Sequence, residues 1–93
     1  MGSEDFIQET IAVVSAEAKR EALENIRQLV ENARTAAACW EEVHGDKSRK
    51  VLALIRNCNL AAAAALTHLI THEERQELSA RLGVDYNFTR FRI

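Results

Sequence analysis

Residues 5–43 read DFIQETIAVVSAEAKREALENIRQLVENARTAAACWEEV, with no proline and no glycine among them. Apolar residues recur in steps of three and four, through Ile7, Ile11, Val14, Ala18, Ala22, Ile26, Leu29, Ala33, Ala36, Trp40 and Val43. That spacing places side chains on one face of an α-helix. Leu23, Val30 and Ala37 widen the stripe in its second half. The pattern predicts a helix over about 4–44, roughly 60 Å long at 1.5 Å per residue. A chain this short cannot cover such a helix alone, so the stretch points to assembly. On the opposite face Glu17, Arg20, Glu24, Arg27, Glu31 and Arg34 alternate in sign. Pairs at that spacing support a solvated helix by a few tenths of a kcal/mol each. The centre of the stripe moves by roughly 70° between Ile7–Val14 and Leu23–Trp40 at 100° per residue. A bend near Ser15 therefore stays open.

The rest of the chain reads as shorter helices. Gly45 suits the left-handed residue after a helix, and Asp46 suits the cap of the next. A second helix is expected over about 47–70, burying Val51, Leu54, Ile55, Cys58, Ala62, Ala65, Leu66 and Leu69. Leu60, Ala53 and Ala64 fall on its other side, so the segment from Leu60 to Leu66 is apolar nearly all round, a mark of two neighbours. Thr71-His72-Glu73-Glu74 matches a capping box and opens a third helix over about 72–82. Gly83 closes it, with Val84 as the hydrophobic contact beyond the cap. Residues 84–93 form an aromatic, locally basic tail, expected to be extended. The fold class is all-α: one domain over 1–93, a small helical bundle built on a long N-terminal helix.

Composition sets the class of function. The chain is 47% hydrophobic and 28% charged with a net charge of −2, which is the balance of a folded chain without a basic field to recruit nucleic acid. The acidic start has no signal-peptide pattern, and no run approaches the roughly 18 apolar residues of a membrane span. Cys39 and Cys58 match no metal or redox spacing and read as reduced thiols. The expectation is a cytoplasmic protein without membrane contact.

Candidate chemistry is sparse. His68 and His72 are spaced to share a metal on one helix, but the capping box at Thr71 divides them. Glu41-Glu42-Val43-His44 resembles the Glu-x-x-His of ferritin-like di-iron bundles, which implies a metal-binding helical dimer. The apolar stripes lack the further inward glutamates that such a centre needs. Gln76-Glu77-Leu78-Ser79-Ala80-Arg81-Leu82-Gly83-Val84 resembles the first half of a helix-turn-helix, implying a DNA-binding regulator that uses residues 76–93. Its recognition helix would have to fit between Asp85 and Ile93, in under three turns. Trp40 and Gly45 flank a turn as in the small secreted helical hairpins with a Trp-x-Gly turn, without the motif itself. No phosphate loop, no Ser/His/Asp grouping and no carboxylate pair on an apolar face is present. Cys58 and His68 lie about 15 Å apart along one helix.

The sequence therefore predicts a non-enzymatic protein–protein interaction module without a cofactor, a small regulatory adaptor or inhibitor acting as a homodimer. Tyr86, Phe88, Arg90, Phe91 and Arg92 are the expected partner-binding residues, because aromatics and arginine dominate binding hot spots. Phe6, Ile7, Ile11, Val14, Leu60 and Ala64 are the expected dimer interface.

Overall fold

A computed structural model describes residues 3–92, without the side chains of residues 3–6 and 10–14. Three α-helices are present: α1 (Ser3–Ala38), α2 (Asp46–Leu66) and α3 (His72–Leu82). Short 3-10 turns follow α1 at Trp40–Glu42 and α2 at Thr67–Leu69. The chain is 80% helical and is a small all-α bundle. α1 runs unbroken through Ser15, so no break in the helix occurs there.

α1 stops several residues before the expected end. The chain passes through Cys39 into the 3-10 turn, and Val43 is extended. Gly45 has φ 94° and ψ 147°, a backbone shape open to glycine but not the left-handed helical cap expected of it. It is itself the N-cap of α2. Asp46 lies in the first turn of α2, where its charge complements the helix dipole, rather than at the cap. The Arg49 guanidinium lies 5.4 Å from the centre of the Trp40 ring and ties the end of α1 to the start of α2.

The core forms where α1, α2 and the C-terminal segment meet. From α1 it takes Ala22, Ile26, Val30, Ala33 and Ala36, the inner half of the predicted stripe. From α2 it takes Leu60 and Ala63. Val84 and Phe88 complete it, with Leu29, Leu78, Leu82 and Phe91 packed around them. The alanines let the helices approach closely, and the large side chains fill the space between.

The corner between α2 and α3 is built as the sequence predicts. Thr71 Oγ1 accepts a hydrogen bond from the Glu74 backbone N–H at 3.1 Å. The Thr71 backbone N–H donates to the Glu74 carboxylate at 2.9 Å. The other Glu74 carboxylate oxygen pairs with Lys19 Nζ at 2.7 Å, which fastens α3 to α1. Lys19 first, and then the Thr71 N–H, pull the Glu74 pKa down to about 2. Because the folded-state pKa is depressed, the stabilisation is present above the ordinary value near 4.5 and is lost as pH falls toward 2. Carbon-detected NMR titration should give Glu74 a midpoint near 2. Lys19→Ala should move it up, and an unchanged midpoint would remove the ion pair from the account.

α3 ends in a Schellman motif. Gly83 is left-handed at φ 72° and ψ 33°. Its N–H donates to Ala80 O at 3.3 Å, and the Val84 N–H to Ser79 O at 3.0 Å. A β-carbon at Gly83 would meet only Arg34 Nη2, at an ordinary 3.7 Å. The cost of Gly83→Ala is therefore backbone strain alone, about 1 kcal/mol. Urea denaturation should show that loss with an unchanged slope.

The tail is not extended. Val84 and Phe91 form an antiparallel bridge. The Asp85 N–H donates to Arg90 O at 3.0 Å, and the Arg92 N–H to Gly83 O at 2.8 Å. The Asp85 carboxylate accepts from the Thr89 N–H at 2.6 Å, from the Arg90 N–H at 3.2 Å and from the Thr89 hydroxyl. Partial burial pushes its pKa up, but these donors outweigh burial and hold the carboxyl below its ordinary value. Residues 84–92 thus close into a loop that lowers Phe88 into the core.

The molecule measures 66 × 22 × 14 Å with a radius of gyration of 17.4 Å. A compact chain of this length would have about 12 Å. The excess comes from α1, whose residues before Lys19 run past the corner at Glu74. Ser15, Ala16, Glu17 and Ala18 are all exposed there.

Candidate functional site

The expected partner-binding residues do not form one free surface. Phe88 is 1% exposed and belongs to the core. Tyr86 is half-buried, with its hydroxyl on His72 Nδ1 and the Arg75 guanidinium 4.5 Å from its ring centre. Arg75 Nε donates to Tyr86 O at 2.9 Å. Phe91 is half-buried beneath the Arg34 guanidinium, 4.8 Å from its ring centre. Arg34 also donates to Leu82 O, so this member of the predicted wet ladder joins α1 to the end of α3. Only Arg90 and Arg92 stay exposed. The aromatics of the tail hold the bundle together rather than reaching outward.

The expected dimer residues divide as well. Leu60 is 2% exposed and sits in the core, and Ala64 is half-buried against that core. Ile7 is 52% exposed. The side chains of Phe6, Ile11 and Val14 lie outside the described residues. Glu41-Glu42-Val43-His44 lies in and after a 3-10 turn, not on a helix. Among the described residues no cluster of three metal-ligating side chains occurs. Beyond Gly83 the chain forms the closed loop, so the helix-turn-helix resemblance lacks its recognition helix.

What the structure leaves open is the other side of α2. Val51 is 55% exposed, Leu54 62%, Ile55 41% and Leu69 54%. Cys58, Ala61, Ala62 and Ala65 between them are exposed too. All but Ala61 belong to the stripe that the sequence assigns to burial. The reason is physical. α2 carries two apolar faces, and α1 together with Phe88 takes the one with Leu60 and Ala63. Small side chains there admit both the close approach of α1 and the Phe88 ring. The outer face, with the larger aliphatics, remains in solvent. The exposed apolar stripe from Val51 to Leu69 is about five turns long.

One run does reach the length and hydropathy that the sequence reading found nowhere. Asp46–Leu69 has an 18-residue window of mean hydropathy 1.2, long and apolar enough to cross a bilayer by length and composition. Its inner face, however, is packed against α1, whose Glu24, Arg27, Glu31 and Arg34 would be drawn into hydrocarbon with it. Charged side chains are costly there.

A second feature is a shallow 590 Å³ trough between α1 and α3, floored by Leu23, Leu78 and Leu82. Arg20, Arg27 and Arg81 rim it. Arg27 is paired with Glu24 and Arg81 with Glu77 at 2.9 Å. Glu21 and Glu24 line the trough as well, so its charged rim carries both signs. No protein-family model matches this chain, and neither a curated protein nor a solved structure matches it significantly.

Proposed function

We propose that this protein is a non-enzymatic helical interaction module that docks the outer face of α2 on another helix. A small regulatory adaptor or inhibitor that works by occupying a protein surface fits this arrangement. The observation that carries the reading is the solvent exposure of Val51, Leu54, Ile55 and Leu69 on one face of a helix whose other face is core. Burying such residues is worth about 25 cal/mol per Å² of apolar area, which gives the exposed row a standing drive to be covered. The absence of charge from Asn57 through Ile70 spares any partner the desolvation of an ion.

A photo-reactive amino acid at Leu54 tests the reading in intact cells. It should give a discrete protein adduct, whereas the same group at the exposed Gln28 on α1 should give none. Equal labelling at both positions, or none at Leu54, would sink the proposal.

A further inference from the structure

We propose that the occupant of this face is a second copy of the same chain, its α2 running antiparallel to the first across a two-fold axis near position 60. The inference rests on the outer face being a docking surface and adds which molecule docks. Its first support is the spacing. Val51, Ile55, Cys58, Ala62, Ala65 and Leu69 follow alternating steps of four and three. This is the seam along which two helices wind around one another with a left-handed twist.

The second support is that the seam complements itself when reversed. Positions equidistant from 60 then face one another, so Val51 lies opposite the partner's Leu69, in the 3-10 turn that continues α2. Ile55 meets the partner's Ala65, and Cys58 meets the partner's Ala62. Ile55 faces an alanine and Cys58 faces another, so the middle of the seam is lined by small side chains that let the axes approach to about 8 Å. A helix with bulky residues throughout would be held farther off. A parallel pair would instead set Ile55 on its own copy and the alanines on each other, leaving a gap.

Charge selects the same orientation. The exposed Lys47 and Lys50, with Asp46 beside them, give the N-terminal end of α2 a net positive charge, and the exposed Glu73 stands at the corner beyond its other end. Antiparallel pairing brings the lysines of each copy to the partner's Glu73. A parallel pair would collect the lysines of both copies at one end.

The test uses the full chain. Sedimentation equilibrium at 100 µM should give about twice the 10.5 kDa chain mass. Ile55→Lys should weaken association at least tenfold, while its thermal melt matches the parent's at a concentration low enough to keep both chains monomeric. Orientation follows from disulfide trapping in a background of Cys39→Ala and Cys58→Ala. A mixture of Ile55→Cys and Ala65→Cys chains should cross-link. Ile55→Cys alone should not, because its two thiols would sit on backbones about 15 Å apart along the seam. Self-linking of Ile55→Cys would overturn the antiparallel pairing. A wild-type monomer at 100 µM would overturn the second copy. In that case the Leu54 photo-adduct separates the two readings. An adduct with a different protein keeps the docking surface, and no adduct removes both. Flotation with phosphatidylcholine–phosphatidylglycerol vesicles, abolished by Ile55→Lys, would give the face to a lipid surface and overturn the proposal.

Discussion

Removing residues 85–93 should abolish the cooperative unfolding transition, leaving a chain that is partly helical by circular dichroism but melts without a sigmoid. The deletion takes away Phe88, a fully buried ring, and Phe91, which bridges to Val84 and packs against the core. Loss of a buried Phe side chain alone costs about 3–5 kcal/mol. Small domains have a total stability of only about 5–15 kcal/mol, and at 93 residues this one stands near the low end. The truncation would also leave Val84 facing water. Phe88→Ala is the gentler version and should lower the unfolding free energy by about 3–4 kcal/mol.

The backbone at Phe88 adds a sharper expectation. Its φ is 56°, in the left-handed region, which costs a residue with a β-carbon about 1 kcal/mol. The ring stays there because its burial outweighs that strain. Phe88→Gly loses the same packing but relieves the backbone, so it should be no less stable than Phe88→Ala. That ordering reverses the usual penalty for glycine. Urea titration of both variants checks it, and a truncated chain with a parental melt would refute the core role of the loop.

Truncating two leucines on one helix should separate its two faces. Leu60→Ala should cost about 2–4 kcal/mol, since the side chain is 2% exposed against Ile26, Val30 and Phe88. Leu54→Ala, at 62% exposure, should stay within about 0.5 kcal/mol, as surface substitutions do. Both are to be measured by chemical denaturation at a protein concentration low enough to keep the chain monomeric. Association would otherwise add to the apparent stability of the parent through mass action. If the two losses came out equal, or if Leu54→Ala were the costlier, the assignment of the inner and outer faces would be wrong.

These two predictions fall on the places where local pattern and tertiary packing part company. The stripe of α1 was legible because one face of it is polar and the other is not. Ala22, Ile26, Val30, Ala33 and Ala36 are buried as their spacing requires. The corner at Thr71 and the cap at Gly83 were legible because each is a short-range hydrogen-bond motif written in a few adjacent residues. On α2 the pattern was ambiguous. Leu60 and Ala63 on one side and Ile55, Cys58 and Ala62 on the other are both apolar, so periodicity alone ranks the faces by bulk and picks the outer one. The aromatics of the tail looked like binding residues for a related reason. Composition shows that Tyr86, Phe88 and Phe91 want contact but does not say with what.

Local rules act over three to five residues, and they determined this protein's helices, the caps at Thr71 and Gly83 and the excess length of its first helix. Which face of α2 is buried, and whether Phe88 looks inward, depends on residues two dozen or more positions apart meeting in space. Ile26 and Val30 must find Leu60, and Phe88 must find the small side chains at Ala63 and Ala64. Only the tertiary structure makes those choices, because burial goes to the faces that fit each other's shape. The apolar face left over on α2 is a consequence of that fit.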